Sequence, residues 1–393
     1  MSKRGYLDQL TIDKSTAETL GFNPYYQVLR SGLGDPICIG GEEFIDLAAN
    51  NYLGLGSSER IKEAMIHGVQ RYGPSLCGTP IATGYVDAFA RVERRLAAFV
   101  GLEDSTIFPS CYQANLGVFS VIARKEDTIL FDHYAHSSLV SGIRSAGCKV
   151  LAFLHNDTRH LQKLLRNVCG QGQVFVVTES VFSTEGSIAP LREIVRLCTA
   201  HNAIPVVDDS HGIGVLGKNG RGILEEEHVE GYRGIYTASL GKALANFGGM
   251  VAGSAGLIDY LRYACPSLIY STALPPSILL GIEEALNIIE AEFTVLSERM
   301  WKYKKLIFSR LQELGFPVIN GAAPITSVAC GGLADTIRFA RALYAQKIIA
   351  TPFVPPSVPP NMGRVRLIAG ADLRESSVQR ALDAFARMAE GQS

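Results

Sequence analysis

From about residue 50 to about residue 270 the chain alternates between two patterns of apolar positions. Short continuous runs, rich in β-branched residues, occupy 106–108, 128–131, 150–153, 174–178, 204–207 and 235–237. Between and ahead of them, apolar positions recur at helical spacing over 61–72, 88–99, 113–123, 137–147, 160–169 and 190–201. A strand that is apolar on both faces must be covered on both sides. Helices alternating with such strands do this, so the pattern predicts an α/β domain with a mainly parallel sheet. The first thirty-odd residues read as an arm leading into a short hairpin at 35–45. After Pro275-Pro276 the pattern changes to a long helical run at about 277–314. Apolar runs follow at 316–319 and 326–330, then a helix near 334–346, a strand at 364–368 and a last helix near 376–388. This predicts a second, smaller α/β domain. The segment PFVPPSVPP at 352–360 lies inside it and cannot be a central strand, because proline has no N–H for the ladder. The expected organisation is an arm and hairpin at 1–48, a large domain at 49–275 and a small domain at 276–393.

Composition narrows the class. A chain of 393 residues exceeds one ordinary small core, and 47% hydrophobic residues exclude disorder. A net charge of −1 leaves no basic surplus for a phosphate backbone, so no nucleic-acid partner is expected. The eight cysteines (Cys38, Cys77, Cys111, Cys148, Cys169, Cys198, Cys265 and Cys330) are scattered, without a C-x-x-C pair. They outline neither a metal site nor a disulfide framework, and read as small buried hydrophobes in a reducing compartment. Residues 1–21 lack a signal-peptide core, and no stretch reaches the roughly 18 apolar residues of a membrane span. The expectation is a soluble cytoplasmic protein without a membrane span.

In an open parallel sheet, ligands bind beyond the carboxyl ends of the strands. After 106–108 comes Pro109-Ser110-Cys111-Tyr112-Gln113, opening a helix whose free N–H groups suit a phosphate. Capping by Ser110 alone would also explain this. After 128–131 comes Asp132-His133-Tyr134-Ala135-His136, which offers an aromatic side chain to the face of a bound ring, or a histidine satisfied within its loop. After 174–178 comes Glu179-Ser180-Val181-Phe182-Ser183, and after 204–207 comes Asp208-Asp209-Ser210-His211. A carboxylate at a buried strand end is costly without a positive partner. A pyridinium N–H would be such a partner, and an ionised Asp208 would keep it protonated as an electron sink requires. His211 can then reach a ring hydroxyl; a structural Asp-Asp-Ser turn is the alternative. After 235–237 comes Ala238-Ser239-Leu240-Gly241-Lys242. A lysine just past a buried strand is placed to be desolvated, which lowers its pKa and makes it nucleophilic towards an aldehyde. Ser239 can bind a phosphate oxygen. The order of these groups along consecutive strands points to pyridoxal 5′-phosphate (PLP) held as a Schiff base on Lys242. The stretch from Gly212 to Lys218 fits G-x-x-x-x-G-K, but Asn219 replaces the required Ser or Thr and no strand precedes it, so it is not read as a nucleotide loop.

Together, NNYLGL (50–55), YQANLG (112–117), HSSL (136–139), ESVFSTEGSIAPL (179–191), VDDSHGIGVLGKNGRG (207–222), SLGKA (239–243) and YSTALPP (270–276) resemble the α-oxoamine synthases. The resemblance runs from Asn50 to the last helix. It implies the aspartate aminotransferase-like fold type I of PLP-dependent transferases, with a mainly parallel seven-stranded sheet and a smaller C-terminal domain. It implies decarboxylative condensation of a small amino acid with an acyl thioester, carried by coenzyme A or acyl carrier protein, giving an α-amino ketone. By resemblance, Lys242 is the Schiff-base lysine, Asp208 the partner of the ring nitrogen and His211 of the ring oxygen. His136 stacks on the ring, with Ser183 and Glu179 beside the cofactor. The backbone of Cys111 and Tyr112, with Ser110 and Ser239, forms the phosphate cradle. Ser271 and Thr272 reach the phosphate of a neighbouring subunit, which implies a homodimer with shared sites. Asn50 and Arg366 hold the amino acid's carboxylate, since a guanidinium fork matches it bidentately. Ser357 lies near the acyl chain.

The chain also departs from the family pattern. Cys111 stands where glycine is usual, though a backbone contact survives that change. After Arg366 the chain reads LIAGADLR, with Leu373 where many members carry a histidine; the family's quorum-sensing branch also lacks it. Val354 and Ser357 stand where the biotin-pathway branch has arginine and threonine, which disfavours a carboxylated acyl chain. Two PLP reactions compete with the condensation: amino transfer and retro-aldol cleavage of a β-hydroxy amino acid. A non-catalytic partner subunit is a further alternative, but it would be expected to lack the lysine.

Overall fold

The continuous apolar runs become the strands of one twisted seven-stranded sheet. In the computed structural model, which describes residues 7, 10, 14–168, 172–319 and 321–391, its order is Asp104–Phe108, Gly249–Gly253, Ile235–Ser239, Ala203–Asp208, Val174–Glu179, Thr128–Asp132 and Lys149–Phe153. Ile235–Ser239 and the four strands listed after it pair in parallel. Gly249–Gly253 runs antiparallel to both of its neighbours. This strand was missing from the sequence expectation. Its sequence, GMVAG, is bracketed by glycines, so it reads as a turn. It is fully buried, and at Gly249 a Cβ would come within 2.3 Å of the Cys111 nitrogen. The glycine lets the start of the helix Cys111–Ile122 abut the sheet.

Helices cover both faces. Phe108, Val118, Leu139, Ile143, Val177 and Val251 belong to one buried cluster; Leu130, Phe153, Leu161, Val176, Ile194 and Leu197 belong to another. The largest cluster surrounds Tyr52, Phe89, Tyr236, Leu244, Leu286 and Ile289. The helix expected at 277–314 spans Pro276–Glu313. Its first part packs into this largest cluster, and Tyr303, Ile307 and Leu311 pack into a separate C-terminal one. The expected boundary at 275/276 thus coincides with the start of a helix whose residues enter both clusters.

The C-terminal part carries an antiparallel sheet in the order Val318–Ile319, Thr326–Gly331, Gly363–Leu367 and Thr351–Phe353. Pro352 lies in its edge strand, where a missing N–H costs no ladder bond. The hairpin of Ile37–Ile39 and Glu42–Asp46 pairs through its second strand with Ile348–Ile349, so the N-terminal hairpin joins the C-terminal part. Ile368 N–H donates to Leu47 O and Ala371 N–H to Tyr52 O, which runs 47–52 alongside the residues that follow Arg366. Cys169 and most of the first thirteen residues lie outside the described residues. Among the described residues no helix is long and apolar enough to cross a membrane, and no His, Cys, Asp or Glu cluster has metal-ligand geometry.

Candidate active site

Acids end three adjacent parallel strands: Asp132, Glu179 and Asp208. Each is occupied differently. Asp132 accepts from Tyr134 N–H and Asn156 N–H and faces His155, so it organises its own loop. Glu179 accepts from His136 N–H at 2.6 Å. Burial, then the neighbouring Asp208, holds its carboxyl well above the usual carboxylate range. A neutral Glu179 adds no second negative charge beside Asp208. Asp208 faces a cavity of about 360 Å³ lined also by Ser110, Cys111, Tyr112, His136, Glu179, His211, Ser239 and Lys242. Nine of the sequence candidates therefore converge on one space at the carboxyl ends of the strands, as an open parallel sheet places its ligands. A larger cavity of about 790 Å³ lies near Asp127, Gln173 and Tyr232, close to the opposite ends of the strands. It has no lysine or histidine in its wall, so size does not locate the chemistry.

Asp208 is held firmly. Oδ2 accepts from Asn115 Nδ2 at 2.7 Å, and Oδ1 from Ser210 N–H at 3.0 Å. Asn115 is fixed in turn by Thr237 Oγ1 at 2.8 Å and by Ser138 Oγ at 2.9 Å. The Cys111 thiol, on the side chain the family usually lacks, lies 3.9 Å from Oδ2, and burial raises its pKa, so it remains a neutral thiol. Lys242 faces the same cavity. Burial lowers its pKa and outweighs the opposing pull of Asp208. Its surface is only partly covered because it fronts the cavity, yet protein rather than bulk water surrounds it. His136 is likewise lowered by burial, against Asp208, and its Nδ1 is tied to Ser138 Oγ at 2.8 Å.

Asp209 points away from this chemistry. It accepts from Tyr236 Oη at 2.7 Å and Ile223 N–H at 3.0 Å, and burial pushes its carboxyl up to about 7. It anchors the loop at 212–222, whose glycine pattern imitates a phosphate loop. In that loop Glu226 takes Gly217 N–H, and Glu225 takes Asn219 N–H and Arg221 N–H. Donors already given to carboxylates are not free to cradle phosphate, which removes the nucleotide reading on physical grounds.

The remaining candidates do not line this cavity. Arg366 is buried beside it; its Nη1 donates to Ser183 O at 3.1 Å, and its guanidinium lies 5.0 Å from the centre of the Phe353 ring. Its positive charge lowers the pKa of both Lys242 and His211. Arg366 Nε and Asn50 Oδ1 are buried without a hydrogen-bond partner among the described residues. Ser271 Oγ accepts from Gln113 Nε2 at 3.2 Å, and Thr272 is exposed. Ser357 is exposed on the proline-rich loop. Sequence reasoning missed Asn115, Ser138 and Ser210 as the frame of Asp208. The available signal was Asn115 at helical spacing with the apolar Val118 and Phe119, on the buried side of its helix.

The profile of the family described as aminotransferase class I and II matches residues 42–385. The chain is 35% identical over 362 residues to an 8-amino-7-oxononanoate synthase of Thermoanaerobacter pseudethanolicus, covering 92% of this chain and 91% of that protein. Among solved structures it is similar to a serine palmitoyltransferase of Sphingomonas wittichii, with a TM-score of 0.92, 26% identity and 96% of each chain covered. It is similar also to an SPT chain that holds PLP, with a TM-score of 0.92, 25% identity and 96% of each chain covered.

Proposed function

The chain belongs to the aminotransferase class I and II family and, within it, to the PLP-dependent α-oxoamine synthases, and from that premise we propose how its own residues divide the labour. It is an acyltransferase that condenses an amino acid with an acyl thioester and releases carbon dioxide. The observation that carries the reading is the facing of Asp208 and Lys242 across one cavity beside the start of the helix Cys111–Ile122.

The cavity suits the cofactor. Asp208, in its frame of Asn115 and Ser210, feels the nearby Lys242 but forms no ion pair among the described residues, and a pyridinium nitrogen would supply that positive partner. The helix start, with Ser239, offers N–H and hydroxyl donors to a phosphate. When bound, PLP supplies an aldehyde that captures amines and a protonated ring that accepts the electrons of a carbanion. Lys242, made more basic-form at neutral pH by desolvation, takes the α-proton of the amino acid at Nζ. His136, fixed at Nδ1, presents Nε2 to polarise the acyl oxygen. Ser183 flanks the cofactor, and Ser110, Cys111 and Tyr112 hold its phosphate.

Asn50 and Arg366 hold the amino acid's carboxylate. The two orphaned polar atoms, Arg366 Nε and Asn50 Oδ1, support this, because buried polar groups without partners call for one. Arg366→Lys is expected to raise KM for the amino acid about tenfold, or about 1.4 kcal/mol, through loss of the bidentate fork, with a smaller change in kcat. Steady-state kinetics with the thioester saturating would measure this, and an unchanged KM would remove Arg366 from the role.

The chain works as a homodimer with Ser271 and Thr272 turned to the partner's phosphate. Exposed aromatic side chains support this: Phe247, in the cavity wall, is 55% exposed in the single chain, and Tyr270, next to Ser271 in sequence, is 83% exposed. The protein is placed in the cytoplasm on its cysteine usage. Its acyl substrate has an uncharged chain end, because the half-buried Val354 adjoins Phe353 where the biotin-pathway branch has arginine.

Release of free thiol tests the reaction. PLP-loaded protein mixed with single amino acids and acyl-CoA or acyl carrier protein thioesters should release thiol only when an amino acid is present, and faster with plain than with ω-carboxylated chains. Keto-acid formation without thiol would mean amino transfer. An aldehyde from a β-hydroxy amino acid would mean retro-aldol cleavage.

A further inference from the structure

Tyr52 lies 159 residues before His211 in the chain, and its side chain is completely buried. Its hydroxyl lies 2.8 Å from His211 Nδ1, with the rings edge to face at 6.1 Å. Tyr52 is held in place by its own backbone, whose carbonyl accepts from Ala371 N–H at 3.0 Å. Among the described residues neither Tyr52 Oη nor the His211 ring has another hydrogen-bond partner. Phenol and imidazole therefore depend on each other, and the direction of their single bond decides which imidazole nitrogen carries a proton.

We propose that Tyr52 is a positioning residue that donates to His211 Nδ1 and so fixes the imidazole with its proton on Nε2, the nitrogen that faces the catalytic cavity. The inference rests on the reading of that cavity given above and adds the residue that sets the state of His211. A neutral imidazole has one donor and one acceptor nitrogen. Burial, followed by the charges of Lys242 and Arg366, keeps His211 neutral. Burial also keeps the Tyr52 phenol protonated. Two arrangements then remain. If Nδ1–H donated to the phenol oxygen, the phenol hydrogen would be buried without an acceptor, at a cost of about 1–3 kcal/mol. If the phenol donates, both groups at the contact are satisfied and Nε2 keeps its hydrogen for the cavity. The second arrangement wins by the cost of the orphaned donor. A cavity that needs a donor against a ring oxygen thereby receives one without a positively charged histidine.

The test reads the tautomer directly. PLP-loaded protein labelled with ¹⁵N-histidine is examined by long-range ¹⁵N–¹H correlation, with the His211 signals assigned by their loss in His211→Asn. The expected result is an unprotonated Nδ1 and a protonated Nε2, with protonated Nδ1 gaining population in Tyr52→Phe. In that variant kcat is expected to fall about tenfold, with the KM of both substrates within about twofold of wild type. A proton on Nδ1 in the wild type, or an unchanged tautomer in Tyr52→Phe, overturns the inference. Should Tyr52→Phe fail to fold, the wild-type spectrum alone still decides. If the protein takes up no PLP, the functional reading falls, while the tautomer is read in the same way from the unloaded protein.

Discussion

Lys242→Ala is expected to abolish thiol release while the protein remains folded. The loss is chemical: the variant retains no amine in the cavity to hold the cofactor's aldehyde or to take the α-proton. The fold should tolerate the change, because Lys242 Nζ makes no hydrogen bond among the described residues and its side chain fronts a cavity rather than filling the core. Asp208 loses a neighbouring cation but keeps Asn115 and Ser210 N–H. Stability should therefore stay within about 1 kcal/mol of wild type, as for changes that bury no orphan and open no core cavity. Thiol release and a thermal melt, run side by side, separate the two effects. Turnover near wild type in Lys242→Ala would sink the assignment of the lysine.

Asp208→Ala is expected to reduce kcat/KM by about a thousandfold or more, equivalent to about 4 kcal/mol of transition-state stabilisation. On the proposed reading the carboxylate acts electrostatically: it would keep a positive charge opposite it, and such fixed charges dominate catalysis where water is excluded. Alanine also strands Ser210 N–H and leaves Asn115 Nδ2 with Ser138 Oγ as its remaining acceptor, so Asp208→Asn provides the control. It preserves the shape, removes the charge, and should lose nearly as much rate. If Asp208→Asn kept near wild-type activity, the charge would not be what matters. The Cys111 thiol beside Asp208 cannot substitute, since burial keeps it neutral.

The sequence made legible those features that one stretch of chain determines by itself. Continuous apolar runs predict buried parallel strands, and the acids and the lysine at their carboxyl ends predict where chemistry collects. Asp208, Glu179, His136, His211 and Lys242 do line one cavity. The strand Gly249–Gly253 was hidden because glycine at both ends imitates a turn, and its extended form is imposed by the neighbours it pairs with. Tyr52 lay in a recognised motif, NNYLGL, yet nothing local shows that its hydroxyl meets His211. Long-range pairs such as Arg366 with the Ser183 carbonyl are likewise products of packing, not of spacing. Cys111 showed as a departure, but its approach to Asp208 follows only from how closely Gly249 lets the helix sit against the sheet. Ser271 and Thr272 do not line the cavity of the single chain, and the role the resemblance implies for them involves a second one.

The most direct test of the central claim is borohydride reduction of the PLP-loaded protein, followed by mass analysis of its proteolytic peptides. The account predicts loss of the visible absorbance and one pyridoxyl phosphate adduct per chain, on the peptide carrying Lys242. An adduct on another lysine, or none after incubation with excess PLP, would contradict it.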